Sequence, residues 1–444
     1  MSRSILSAMI TNMLDLKYIK ENLQEIKENT AGRNIEADPE MVVKLYNQRN
    51  ETLRKIESLR QRRNENARAM KTELPTEERE NLIQEGKRIK EEIAALEQSL
   101  ETVQKTLARE ALKIPNLTHA EVPPGKDERD NRELKRWGEP PDFPFKPADH
   151  LQVGQNLGLI DFETAARVTG QKFYYLKNEA VLLEMALLRY AMDILKAESF
   201  TLLITPDIAR EEIAGAIGFN PRGAESNIYN LEATGTCLIG TAEITLGAYY
   251  VDRMLKPEQL PIKLAGLSHC FRREAGAAGQ YSRGLYRVHQ FTKLEMFIFC
   301  HPEQSESLHA YLLSLEEKIC QGLGIPYRVV EACAGDLGGP AYRKFDIEAW
   351  MPGRGAGGNW GEITSASNCT DYQARRLGIR FKEDGRSIFV HMLNGTAVAI
   401  SRTLIAILEN FQEEDGSVRI PEELVPYTGF ARISPKVKNH VGSY

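Results

Sequence analysis

The sequence predicts an α+β chain: an antiparallel sheet flanked by helices, preceded by an N-terminal antiparallel α-helical coiled-coil hairpin. Three observations carry that prediction. Apolar residues keep heptad spacing between residues 40 and 110. A stretch dense in Pro, Gly and charge follows, KIPNLTHAEVPPGKDERDN. Beyond it, strand-like segments succeed one another with few helices between them, an order that favours an antiparallel sheet over a doubly wound one.

The hairpin comes first along the chain. Leu82, Gly86, Ile89, Ile93, Leu96, Leu100, Val103 and Leu107 alternate spacings of four and three, which makes a heptad seam. Upstream, Val42, Leu45, Leu53, Ile56, Leu59 and Met70 form a second helical stripe, and TELPT with Pro75 breaks the helix between them. Each arm spans roughly 50 Å at 1.5 Å per residue. The first arm is basic: Arg49, Arg54, Lys55, Arg60, Arg62, Arg63, Arg68 and Lys71 stand against Glu51, Glu57 and Glu65. Such a strip is either a solvated coiled-coil face or a track for phosphates.

The Pro-rich stretch marks a domain boundary. It divides the chain into an extension (1–12), the arm (13–112), a linker (113–148) and a core (149–444). In the core, residues 178–197 predict a helix too apolar to be exposed all round, and SFTLLITPDI predicts a strand closed by Pro206. Together they suggest a core or a subunit interface. Strands are predicted over 260–275, 288–300, 327–333, 343–351 and 387–393.

Composition narrows the functions. A length of 444 residues calls for more than one domain, and the net charge of −5 argues against binding nucleic acid over the whole surface. Glu184, Arg189 and Asp193 interrupt the most apolar segment, so no membrane span is expected. Six cysteines stand far apart with no CxxC pair, which suits reduced thiols and supports neither a disulfide framework nor a zinc site. No GxGxxG or Walker loop occurs.

The chemistry gathers in the stretch 270–297. Along a strand, Arg272 and Glu274 share a face; so do His289, Phe291, Lys293, Glu295 and Phe297, while Val288, Leu294, Met296 and Ile298 turn to the core. Such a face offers a guanidinium for an anion, a ring for a ring and carboxylates for an amine. The plainer alternative is a solvated outer sheet face. His289 is expected to be packed, not catalytic. Downstream, GEITSASNC sets Glu362 and Ser365 three residues apart, hard oxygen donors suited to Mg2+, or a simple turn or cap. LNGTAVAISRTLIAILEN predicts an apolar helix with Asn394 and Thr396 at its start. Its one strong cation, Arg402, needs an anionic partner, from the protein or from a ligand.

FRREAG…GLYRVHQFTKLEMF resembles motif 2 of the class II aminoacyl-tRNA synthetases, in the form used by seryl-tRNA synthetases. The MLDLKYIK start, the hairpin, IPNLTHAEVPPGKDERDN, the Thr241-Ala242-Glu243 triplet and HMLNGTAVAISRTLIAILEN are similar to that family in order, over nearly the whole chain from Met13. The resemblance implies ligation of L-serine to tRNA(Ser), and to tRNA(Sec) where a cell has it, with ATP as substrate and Mg2+ as cofactor. It implies that Arg272 holds the ATP α-phosphate and the serine carboxylate, with Arg273 beside it in the ATP site. Glu274 would lie near the adenine, Phe291 would stack on it and the Val288 backbone would border it. Glu295 would pair with the serine ammonium, Thr241, Ala242 and Glu243 would close over serine, and Asn394 and Thr396 would complete that pocket, with Thr396 on the serine hydroxyl. Glu362 and Ser365, with Ile363 and Thr364 between them, would hold Mg2+ on the ATP phosphates, and Arg402 would meet the γ-phosphate. Arg272, Arg402 and Glu295 would carry catalysis.

The resemblance further implies a homodimer. Its arm, through Arg49, Arg54, Arg60 and Arg63, would grip the long variable arm of the tRNA, with no role for a membrane or DNA. The cytoplasm is the expected compartment, or an organelle if residues 1–12 belong to a targeting segment. Two positions depart from the family pattern: Ser401 before the motif 3 arginine, and Gln280-Tyr281-Ser282 in the motif 2 loop. They touch contacts to the tRNA acceptor end, not the catalytic set. Rival readings are a carrier-protein adenylating enzyme, which would lack the arm, and a non-catalytic paralogue, which would have lost part of Arg272, Glu295, Glu362 and Arg402. An antibiotic-resistant second copy of the enzyme would look much like this chain.

Overall fold

The computed structural model describes residues 16–73, 75–219, 227–274 and 283–435. The chain divides into two compact units, residues 1–117 and 118–444. The extension before Met13 and the Gln280-Tyr281-Ser282 departure lie outside the described residues.

In the first unit two short helices, Leu16–Glu21 and Leu23–Gly32, precede α1 (Pro39–Ala69) and α2 (Thr76–Leu112). Asp38 starts α1: its carboxylate accepts the Met41 N–H at 2.9 Å, and Pro39 fills the first turn, where no donor is needed. The pair forms the expected hairpin. Ile89 and Ile93 of the heptad seam bury against Leu59, and Val103 and Leu107 bury with Val42 and Leu45. Arg60 is tied to Glu97 and Arg62 to Glu85, each at 2.8 Å, while Arg49 donates to Asn50 at 3.1 Å. Arg54 and Arg63 are exposed and join none of the arm's ion pairs among the described residues.

The second unit is built on an eight-stranded sheet. Its strands are β1 (Arg132–Trp137), β2 (Thr201–Ile204), β3 (Ile262–Phe271), β4 (Gln290–Cys300), β5 (Tyr327–Glu331), β6 (Arg343–Met351), β7 (Asn359–Asn368) and β8 (His391–Ala399). The spatial order is β1-β5-β6-β7-β8-β4-β3-β2, and every pairing is antiparallel except β2 with β3. Four expectations need correction. The segment 113–148 is not a plain linker, because residues 132–137 form the edge strand β1. GEITSASNC is strand β7, not a turn or cap. Asn394 and Thr396 stand on a strand, β8, and the helix begins only at Ile400. The predicted strand over 387–393 is likewise two, with Arg386–Phe389 separate from β8.

The helices α3 (Glu179–Ala197), α4 (Ser305–Gly322) and α5 (Ile400–Asn410) join the sheet in one core. On α4, His309 donates through Nε2 to the Ala366 carbonyl at 2.9 Å, and Glu316 accepts from Thr364 Oγ1 at 2.8 Å. These bonds fasten the helix to β7. On α3, Leu183, Leu187 and Leu195 are buried, whereas Leu182 and Met185 stay about half exposed at 51% and 52%. All six cysteines are buried. No described helix is long and apolar enough to cross a membrane.

Candidate active site

Strand alternation places Phe291, Lys293 and Glu295 of β4 along one wall of a cavity. The neighbouring strand β8 supplies Asn394 and Thr396. Thr396 lies opposite Glu295 and Val398 opposite Leu294, so Ala397 is an extra residue, a β-bulge. The bulge brings Asn394, Thr396 and Ala399 all to the cavity. A second bulge does the same on β7. Ile347 pairs with Thr364 and Glu348 with Glu362, leaving Ile363 extra. Residues three apart on a regular strand face opposite sides; the bulge lets Glu362 and Ser365 line the same cavity.

The inner end of the cavity is buried and charged. Lys293 and Glu295 form an ion pair, their side chains only 7% and 2% exposed. Thr396 Oγ1 lies 3.4 Å from Glu295 Oε2. Glu243 accepts from Gln373 at 2.7 Å and from Asn394 at 3.2 Å, and its own N–H donates to Thr241 Oγ1 at 3.2 Å. Burial, with the Glu295 charge adding to it, pushes the Glu243 carboxyl up to about 7. Burial also raises Glu295, against the opposing pull of Lys293 and Arg272.

Toward the mouth, Arg272 leaves β3 with its guanidinium 5.3 Å from the centre of the Phe291 ring, and its Nε donates to the Gly240 carbonyl at 3.2 Å. Its backbone is pinned by His289: the Arg272 N–H donates to the His289 carbonyl at 3.0 Å, and His289 Nδ1–H returns a bond to the Arg272 carbonyl at 2.8 Å. His289, one residue before β4, thus holds the backbone of its neighbour and does not line the cavity. Glu274 follows in a left-handed backbone conformation (φ 49°), costly for a residue with a Cβ, and accepts from Arg287 at 3.2 Å. Across the mouth, Arg402 pairs with Glu362 at 3.0 Å and lies 4.7 Å from the Tyr286 ring centre. Burial opposes ionisation of Glu362, but Arg402, Lys344 and Arg272 outweigh it and hold the carboxyl below its ordinary value.

The cavity gathers Thr241, Glu243, Arg272, Glu274, Val288, Phe291, Glu295, Glu362, Ile363, Thr364, Ser365, Asn394, Thr396 and Arg402, all residues the sequence singles out. Two others are not part of its lining. Ala242, between Thr241 and Glu243 in the chain, is fully buried, and Arg273 lies near Tyr229. Sequence reasoning gave Lys293 a place but no task, left Ser401 aside, and missed Phe219, Tyr286 and Ser367, which also line the cavity. Tyr286 sits two residues before Val288, and a ring there beside an arginine-rich loop was a signal available in the sequence.

A divalent cation has suitable donors here. Glu362 and Ser365 offer hard oxygens on one wall. Asp346, paired in register with Ser365, is buried and keeps Oδ1 without a hydrogen-bond partner. Among the described residues no cluster of three or more His, Cys, Asp or Glu could hold a metal ion.

Comparison with known proteins gives the same lineage for both units. Residues 13–118 match the family model for the seryl-tRNA synthetase N-terminal domain, and residues 229–411 the model for the class II tRNA synthetase core domain of the G, H, P, S and T enzymes. A serine–tRNA ligase of Treponema denticola is 58% identical over 95% of this chain and 100% of its own length. Among solved structures, a seryl-tRNA synthetase of Pyrococcus horikoshii complexed with ATP superposes with a TM-score of 0.87 at 39% identity, covering 96% of this chain and 100% of its own. A cytoplasmic serine–tRNA ligase of Naegleria fowleri in complex with AMP gives a TM-score of 0.83 at 32% identity, over 96% of this chain and 99% of that one. With an arm, a class II core and relatives matched from end to end, the chain belongs to the seryl-tRNA synthetase family.

Proposed function

We propose that this chain is a serine–tRNA ligase that activates L-serine with ATP and transfers it to tRNA(Ser). The observation that carries the reading is one cavity that brings a buried carboxylate, Glu295, together with Arg272 and, across the mouth, Glu362, Ser365 and Arg402. In the first step Glu295 receives the serine ammonium and Thr396 the hydroxyl. Arg272 orients the serine carboxylate and the ATP α-phosphate together. A carboxylate oxygen forms a bond to the α-phosphorus and the bond to pyrophosphate breaks, giving seryl-adenylate. Arg272 and Arg402 neutralise the charge that grows on the phosphoryl oxygens. Phe291 offers its ring to the adenine, with Glu274 and the Val288 backbone at its edge. Glu362 and Ser365 would hold Mg2+, which supplies charge neutralisation on the ATP phosphates. In the second step a terminal ribose hydroxyl of the tRNA attacks the seryl carbonyl and AMP leaves. No protein base is required; positioning and electrostatics do the work.

The basic first arm would supply tRNA contacts through Arg54 and Arg63, and through Arg49 and Arg60 once their present partners yield. The exposed apolar residues of α3 and of β2, with Ile204 84% exposed, support a homodimer. Exchange of labelled pyrophosphate into ATP, with serine, threonine, alanine and glycine compared, tests the reading. Exchange with serine alone is expected. No exchange with serine would leave the paralogue reading, and exchange with another amino acid would favour a carrier-protein enzyme.

A further inference from the structure

The chemistry above leaves one cation of the cavity, Lys293, without a task. Lys293 lies at the inner end of the cavity, where the substrate itself brings a cation. A lysine there repels an incoming ammonium and is costly to bury unless something requires it. What requires it is the recess itself. Glu295 and Glu243 are both buried, and among the described residues Lys293 alone makes an ion pair there, with Glu295. Charged and titratable groups face Glu295 from several elements: Lys293 on its own strand, Arg272 and Cys270 from β3, Glu243 from the segment beside it and Glu316 from α4. The cross-strand neighbours of Lys293 are Ala399 on β8 and Ser268 on β3, whose small side chains leave the lysine room to lean along the strand to Glu295. Among the described residues, Lys293 and Thr396 both approach Oε2 of Glu295, leaving the lone pairs of Oε1 for an incoming ammonium.

We propose that Lys293 is a positioning residue that keeps Glu295 ionised and oriented to receive the serine ammonium. The inference rests on the function proposed above. Without the lysine, two carboxylates share a buried recess, like charges disfavour double ionisation, and the pair retains a proton. A protonated Glu295 keeps its shape but loses the charge that selects an ammonium.

The test uses the full chain and serine-dependent pyrophosphate exchange from pH 6 to 9, with wild type, Lys293→Met and Lys293→Arg. In Lys293→Met, KM for serine at pH 7 should rise about tenfold or more, KM for ATP should hold, and the rise of kcat/KM with pH should move up by about one to three units. Lys293→Arg, which keeps the charge, should restore the wild-type profile. A Lys293→Met enzyme with the wild-type profile, or with a lower KM for serine, overturns the proposal: the lysine would then fill space or merely compete with substrate. If Lys293→Met fails to fold by circular dichroism, Lys293→Gln carries the same comparison under the same criteria. A wild type that exchanges with no serine at all sinks the proposed function, and this inference with it, before any variant is compared.

Discussion

Single side chains in the inner recess set how serine is recognised. Glu295→Gln keeps the volume and removes the charge that the ammonium needs, with Lys293 left unpaired. Loss of one partner of a buried, hydrogen-bonded charge pair should lower kcat/KM for serine about a hundredfold or more in pyrophosphate exchange, with KM for ATP little changed. Glu243 gives a pH dependence. Its carboxyl is raised to about 7, so it is protonated below that value and anionic above it. An added negative charge favours the ammonium, and kcat/KM for serine should climb as pH rises through about 7. Glu243→Gln should flatten that climb; a Gln variant that kept it would assign the titration elsewhere. The site was legible at this scale wherever a side chain's chemistry is rare in its surroundings: an arginine beside a glutamate on a strand, or Arg402 among Leu and Ile. Lys293 was visible too, but its ion pair depends on burial, which alternation alone does not supply.

Elements were read less evenly. The long hairpin declared itself because a seam sustained over many turns has one period and one interpretation. Strand β7 did not, since GRGAGG before it reads as loop and its bulge at Ile363 exists only relative to a partner strand. The junction of β8 and α5 was missed because Ala399 passes to Ile400 with no Gly, Pro or polar cap to punctuate it. β1 shows no alternation at all, its six side chains being exposed. Two predictions belong to elements. Arg54→Glu with Arg63→Glu on α1 should cut tRNA charging and its salt sensitivity while leaving serine-dependent exchange intact; deletion of residues 1–117 should do the same more completely. An equal loss of exchange would show that the arm supports the core and does not serve tRNA. The docking of α4 should be acid-sensitive. Burial lowers both His309 on α4 and His391 on β8, which bonds Ser305 at 2.9 Å, to about 4. Each binds fewer protons folded than unfolded between about 6.5 and 4, so stability is present above 6.5 and lost as pH falls through that window. Each histidine should contribute about 2.5 kcal/mol to the loss, measured by denaturant unfolding at pH 7.5 and pH 4.5. His309→Gln should remove its share.

For the molecule as a whole, apolar side chains on α3 and β2 are left facing outward although the core beneath them is complete. Leu182→Glu with Met185→Glu should halve the mass seen by light scattering and abolish charging of tRNA; a wild type already at the mass of one chain would refute the dimer. Another whole-molecule feature has a practical side. Every thiol is buried, and burial raises Cys237 to about 11 and Cys300 to about 12, so the nucleophilic thiolate is scarce at neutral pH. The native chain therefore comes ready for site-selective labelling. Arg63→Cys on the exposed flank of α1 would create one accessible attachment point for a fluorophore, whose anisotropy would report what binds the arm while the core turns over.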